Sequence, residues 1–295
     1  MTNTQQVPSM GSKNTSYSAK KKTVNVIVYI ILAAMSVIWI LPIVWLVLQS
    51  LRGEKGTYVA YLFPHEWTFN NYVNLFTNEQ FPFGRWFGNT LLIAIVSCII
   101  STLFILMVSY AFSRLRFKSR KAFLNVGLIL GMFPGFMSMA ATYAIMDLLG
   151  LSQSLFALVI VYSAGAGLGY QVAKGYFDTI SRSLDEAAKI DGATRFQIFR
   201  KIILPLSKPI IVYTALTTFI GPWTDYIFVS YFMKDNIDNL TVAAGLYRMI
   251  DKESKYEYFT TFCAGAVIVA IPITVLFVIM QRFYVAGVTG GAVKG

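Results

Sequence analysis

Six apolar blocks, at about residues 24–48, 89–112, 122–146, 155–172, 210–232 and 262–283, alternate with polar islands that hold nearly all of the charge. Each block is close to the ~20 residues that an α-helix needs to cross the hydrocarbon core of a bilayer. The pattern predicts an all-α membrane protein, with six transmembrane helices occupying residues 24–286. Two islands are long, and residues 50–88 and 233–259 read as loops on one side of the membrane. Trp86 and Phe87 stand where the second span begins, the level at which aromatic belts form. Residues 1–23 are polar and contain Lys20-Lys21-Lys22; with so little to bury they are expected to be disordered. That lysine run resembles the start of a signal peptide. The apolar run behind it is too long and has no clear small-residue cleavage site, so it is expected to be retained as the first span. Residues 287–295 read as a short glycine-rich tail. Pro42, Pro134, Gly221-Pro222 and Pro272 lie inside blocks, where proline is common; they are read as ordinary kinks, with Gly221-Pro222 breaking the fifth span. Gly165 and Gly169 have the small-xxx-small spacing that lets a neighbouring helix approach closely.

Residues 183–209 differ from everything around them, because charge and apolar residues interleave at helical spacing. Ser183 and Glu186 have the spacing of a capping box, which predicts a helix from Leu184. Asp185 and Glu186 then fall in its first turn, at the positive end of the helix dipole. Gly192 is placed to close that helix in a left-handed C-cap. Thr194 and Gln197 repeat the box, and Phe196, Phe199 and Ile203 are expected on one face of a second helix. Pro205 and Pro209 close the segment.

Composition strengthens the membrane reading. The chain is 56% hydrophobic and 13% charged, about half of the ~25% charged fraction of soluble domains. A net charge of +11 in a soluble chain would suggest a nucleic-acid partner. Here the positive charge is sorted by side. With the N-terminus inside, 18 of the 25 Lys and Arg fall on the inner face, five of them between Arg114 and Lys121. Of the 14 acids, 10 lie outside or near outer span ends. The positive-inside rule then places both termini and the 183–209 segment in the cytoplasm.

The residues exclude several chemistries. No Gly-x-x-x-x-Gly-Lys-Ser/Thr occurs, and the glycine run at 163–169 has no lysine, so the chain is not a P-loop nucleotide binder. Cys98 and Cys263 lie in apolar blocks, and His65 reads as a solvated loop residue. No paired metal-ligand spacing exists, so no metal or other cofactor is expected in this chain. Asp147 and Asp225 are the only acids in or near span ends, too few for a proton relay. The energy for any transport must therefore enter through another subunit.

Glu186-Ala187-Ala188, Gly192 and Ile202-Ile203-Leu204-Pro205 have the order and spacing of the EAA loop, and the chain resembles the binding-protein-dependent ABC-importer permeases. Tyr110 to Phe117, Met132-Phe133-Pro134, Gly175 to Ile180 and Gly287 to Gly295 are similar to the carbohydrate branch, the maltose/maltodextrin permeases above all. The resemblance covers about residue 24 to the end. It implies a type I (MetI-like) importer fold in a bacterial cell membrane. It implies a coupling helix that docks into an ATPase subunit through Glu186, Ala187, Ala188, Asp191, Gly192, Ala193, Leu204 and Pro205. It implies three kinds of partner: a permease of the MalF type, an ATPase dimer that carries ATP and Mg, and an extracytoplasmic sugar-binding protein. Asp251, Lys252, Glu253, Ser254 and Lys255 would form the loop tip that reaches the binding protein. Gly290, Gly291, Lys294 and Gly295 would belong to a tail held between the ATPase subunits. In that family the sugar site lies mostly on the partner permease, so no sugar-contacting residue is assigned here. Galacto-oligosaccharide and other glucoside importers share the same motifs. On the residues alone, a non-transporting membrane scaffold and an ion-driven secondary transporter remain open as other classes.

Overall fold

The computed structural model describes residues 13–57, 59, 61–165, 169–251 and 255–292. Among these the regular structure is helical, with one isolated antiparallel bridge between Arg52 and Trp67. The first half holds α1 (Lys13–Ser50), a short α2 (Asn70–Thr77), α3 (Phe83–Arg114), α4 (Arg120–Met132), α5 (Ser138–Leu148) and α6 (Leu155–Gly165). Then come α7 (Tyr170–Thr179), α8 (Arg182–Ile190), α9 (Arg195–Ile198), a π-turn (Phe199–Ile203) and α10 (Leu204–Leu206). The chain continues with α11 (Lys208–Thr224), α12 (Ile227–Met233), α13 (Val242–Met249) and α14 (Lys255–Ala292).

Four stretches are long and apolar enough to cross a membrane: Val24–Ser50, Phe83–Arg114, Leu155–Thr179 and Tyr256–Gln281. Two more crossings are bent. Arg120–Met132 meets Gly135–Leu148 at 89°, and Arg195–Leu206 meets Lys208–Thr224 at 84°. The six expected spans are thus present, with α3 at the centre, packed against α6, α7, α11 and α13. Two boundaries differ. The helix α1 begins at Lys13, so residues 13–23 extend the helix of the first span where a disordered tail was expected; no glycine or proline stands between Lys13 and Pro42. At the other end α14 continues through Gly287, Gly290 and Gly291 to Ala292, so these glycines do not open the backbone into an extended tail. Lys294 and Gly295 lie outside the described residues.

Of the four prolines inside apolar blocks, only Pro134 breaks a span. Phe133 before it is extended (φ −71°, ψ 130°), as a residue preceding proline prefers, and Pro134 is extended too (φ −59°, ψ 128°). Helices run on through Pro42, Pro222 and Pro272. The break expected at Gly221-Pro222 comes at Asp225 instead (φ −85°, ψ 98°), after which α12 sets off anew.

The larger of the two buried apolar clusters is built on Trp86, which is fully buried and not an interface anchor. Its Nε1 donates to Ile237 O at 2.8 Å, and its ring lies on Gly245 of α13. Thr90 Oγ1 accepts from Val242 N at 2.7 Å, and Asn89 donates to Asp238 O and Leu240 O. Residues 233–251 are therefore folded into the protein rather than a free loop. Beyond them Asp251 is exposed, Lys255 opens α14, and Lys252, Glu253 and Ser254 lie outside the described residues. The first outer loop is tied down as well. Asn71 Nδ2 donates to Ser50 O and Arg52 O, and Thr260 Oγ1 donates back to Asn71 Oδ1. His65 is exposed and stacks on Tyr61, with ring centroids 4.0 Å apart.

The glycines that matter are not the predicted pair. A Cβ at Gly165 would meet open space, and one at Gly169 would make only ordinary contact with Ile105. At Gly245 it would sit 2.1 Å from Trp86 Cε3. Gly245→Ala is therefore expected to cost about 1–3 kcal/mol through overpacking. Thermal unfolding in detergent tests this, with Gly88→Ala on α3 as the control, where nothing lies within 4 Å. Equal melting temperatures for the two variants would show that the indole can move aside.

Candidate coupling site

Three short helices, α8, α9 and α10, and a π-turn build the 182–206 segment against α3 and α7. Ser181, not Ser183, caps α8: its Oγ accepts from Ser183 N at 3.3 Å. The expected Ser183–Glu186 box is therefore absent, because an earlier hydroxyl reaches the first turn. Gly192 does close α8, in the left-handed conformation (φ +78°). Gly192 N donates to Lys189 O at 3.0 Å and Ala193 N to Ala188 O at 2.9 Å, the two bonds of a Schellman motif. The second capping box is present with both bonds: Gln197 N to Thr194 Oγ1 at 3.3 Å and Thr194 N to Gln197 Oε1 at 2.7 Å.

The inner faces of these helices form a small core of their own. Ala188, Ile198, Phe199 and Ile203 pack with Tyr110 of α3 and Phe177 of α7. The π-turn at Phe199–Ile203 adds a residue to one turn and changes the register. Phe199 and Ile203 point inward, while Phe196 is 67% exposed instead of sharing their face. Ile190, at the other end of the surface, is 87% exposed. Spacing alone assigned Phe196 to the wrong face and gave no reason to single out Ile190.

Acidic residues 185 and 186 have opposite fates. Asp185 points inward to the Arg114 guanidinium, Nε to Oδ2 at 3.5 Å, with side chains 9% and 3% exposed. Arg114 Nη2 also donates to Phe177 O and Ile180 O, both at 2.9 Å. One guanidinium thus joins the end of α3, the end of α7 and the first turn of α8. Those carbonyls belong to the negative end of α7, where a cation is favourable. Around it Ser113 Oγ donates to Asp178 Oδ1 at 2.6 Å, Lys174 pairs with Asp178 at 2.6 Å, and Tyr110 Oη donates to Arg195 O at 3.0 Å. Sequence reading placed Arg114 only in a basic loop. The signal available was its place as the last residue before the chain turns, opposite a segment with two adjacent acids.

Glu186 faces outward, and its carboxylate has no partner among the described residues. It does not serve the capping of α8. Ala187, Asp191 and Gly192 share the exposed side, Ala188 is buried and Ala193 is half-buried. Leu204 and Pro205 lie beyond the π-turn, where Leu204 is half-buried and Pro205 is exposed at the start of α10. A groove of about 360 Å³ beside α8 is lined by Arg116, Arg182, Glu186, Lys189 and Arg195 among others. The arrangement is mechanical rather than catalytic: a rigid amphipathic helix, fastened to two spans and presenting charge and apolar side chains outward.

Spans and presented helix together define a multi-pass helical membrane subunit built to be moved by, or to move, a partner. Residues 10–289 match the model of the binding-protein-dependent transport system inner membrane component, and the chain belongs to that family. It is 35% identical over 269 residues to the galactooligosaccharides transport system permease protein GanQ of Bacillus subtilis (90% of this chain, 94% of that one). It is 33% identical over 285 residues to the maltodextrin transport system permease protein MalD of Streptococcus pneumoniae (96% and 100%). Among solved structures, a bacterial ABC transporter involved in the import of the acidic polysaccharide alginate superposes with a TM-score of 0.74 at 21% identity, covering 94% of this chain and all of that one. The fold is that of the type I importer permeases, as the EAA stretch implied.

Two predictions follow from this geometry. Glu186→Gln removes a charge that supports nothing inside the chain, so its unfolding free energy is expected to change by less than about 0.5 kcal/mol while transport falls. Normal uptake by Glu186→Gln would remove the charge from any coupling role. Arg114→Ala strands Asp185 and two carbonyls, and is expected to cost about 3–5 kcal/mol. Protease sensitivity of the 182–206 segment is the readout, and an unaltered cleavage pattern would show that packing alone holds it.

Proposed function

We propose that this chain is one transmembrane subunit of an ATP-driven oligosaccharide importer. The observation that carries the reading is the outward, unpartnered Glu186 on a helix whose internal capping and packing are already complete. Such a carboxylate is available to a second protein. The family and both sugar-permease relatives support an ATPase as that protein, with ATP and Mg held on the ATPase and not here. A partner permease of the MalF type would complete the pathway, and an extracytoplasmic binding protein would deliver the sugar. The sorting of 18 of 25 basic residues supports an orientation with both termini in the cytoplasm. Identities of 35% and 33% to galactooligosaccharide and maltodextrin permeases do not separate those two sugars.

Docking would use Glu186, Ala187, Asp191 and Gly192, with Ile190 and Phe196 as apolar anchors on the same surface. Residues 251–255 remain the proposed contact to the binding protein, and the end of α14 with Lys294 and Gly295 the proposed contact to the ATPase pair. Reconstitution in proteoliposomes tests the whole reading. The four-component complex with ATP is expected to import a maltodextrin or galacto-oligosaccharide, and this chain alone to import nothing. Uptake by the chain alone under an ion gradient would replace the reading with secondary transport. Within the same system, deleting Lys252–Lys255 or Val288–Gly295 is expected to leave assembly intact and lower ATPase stimulation; full stimulation would reject the contact concerned.

A further inference from the structure

The bent spans border an open cavity that lies apart from the α8 surface. It has about 420 Å³ and lies among the α4–α5 break, α6, α11 and the start of α12. That volume is within the roughly 300–1,000 Å³ of small-molecule sites. Its depth can be counted along the helices. Ser101, on its wall, is about 20 Å from the Arg114 end of α3, and Asp225 is about 25 Å from the Lys208 end of α11, at 1.5 Å per residue. Tyr162 is about 10 Å in from the Leu155 end of α6. The cavity is therefore at membrane depth.

Its polar groups are unusual for that depth. Asp225 Oδ2 accepts from Tyr162 Oη at 3.0 Å, and Oδ1 accepts from Phe228 N at 3.0 Å, at the start of α12. A cap alone does not call for a charge, since Asn or Ser caps as well without taking a carboxylate out of water. Hydroxyls complete the wall. Thr217 donates to carbonyls of its own helix, which leaves its oxygen as an acceptor on the cavity wall, while the oxygen of Thr218 already lies 3.5 Å from Thr102 Oγ1. Thr142 Oγ1 has no partner among the described residues. Phe228, Met139 and Val161 supply apolar surface between these groups. The non-helical backbone at Phe133–Pro134 is exposed beside Gly135 on the rim. Irregular backbone at this depth is tolerated only against protein or a polar cavity, so this face does not meet lipid.

We infer that this cavity is a sugar subsite in this chain itself, and that it takes a glycosyl unit of a neutral oligosaccharide. Acceptor oxygens with their own protons already committed call for a ligand that donates, as sugar hydroxyls do. A carboxylate can accept from two neighbouring hydroxyls, and Met139 and Val161 offer apolar surface to the apolar side of a sugar ring. The lining holds a carboxylate and no Lys or Arg. It therefore repels a uronate, unlike what an importer of an acidic polysaccharide requires.

The inference rests on the sugar-importer reading, and its test keeps the two apart. In the reconstituted complex, the ratio of sugar imported to ATP hydrolysed is measured for the wild type, Asp225→Asn, Tyr162→Phe and Thr142→Val. Loss of hydrogen bonds to the sugar is expected to lower that ratio about tenfold in Asp225→Asn and several-fold in Thr142→Val. A purely structural role would lower import and hydrolysis together, leaving the ratio unchanged, and that result overturns the inference. Should Asp225→Asn fail to assemble, Thr142→Val decides, because its hydroxyl makes no hydrogen bond inside the described chain. A wild-type complex that imports no neutral oligosaccharide would defeat the importer reading instead.

Discussion

A buried guanidinium must be paired, and the pairing of Arg114 governs how three helices of this protein meet. The charge cannot stay out of water without Asp185 and the two carbonyls at the end of α7. Because those groups lie on three elements, satisfying one side chain sets the positions of α3, α7 and α8 together. The small apolar core around Phe177, Phe199 and Ile203 then fills the space beneath. The α8 helix is thus joined to two membrane spans through a charged contact and a packed one.

The membrane imposes the second constraint. Backbone groups at hydrocarbon depth need partners, so a broken helix there must face protein or a polar cavity. The breaks at Pro134 and Asp225 fall on the same cavity, as do Tyr162 and the threonines of α11. Elsewhere the spans tolerate proline without parting, since neighbouring turns hold the helix together. Where two successive residues adopt extended angles, as at Phe133 and Pro134, the ladder cannot resume along the same axis.

On the outer side, rigidity comes from close packing. Trp86 fills a space that exists only because residue 245 has no side chain, and its indole N–H and the Thr90 hydroxyl anchor the chain between α12 and α13. The same stretch brings Arg248 and Lys234 together, and Lys234 sits 4.2 Å from the centre of the Tyr143 ring. A polar segment after the fifth apolar block is thus a folded part of the core around Trp86, with Asp251 exposed at its end.

What the residues alone decided is what depends on near neighbours in the chain. Six spans follow from the length of the apolar blocks. The Schellman closure at Gly192 and the Thr194–Gln197 box follow from residue types within one helical turn, as does the EAA spacing that carries the family. Only the tertiary structure could choose among options that are locally equivalent. Ser181 and Ser183 are both able to cap α8, and the fold selects the first. Phe196 and Phe199 lie one turn apart, and packing against Tyr110 and Phe177 takes Phe199 into the core and leaves Phe196 at the surface. Four prolines look alike in apolar surroundings, and one breaks its span. Arg114 with Asp185, Trp86 with Gly245 and Tyr162 with Asp225 are far apart in the chain. Their pairing follows from the requirement that charge, volume and hydrogen bonds be satisfied between helices, which no local pattern encodes.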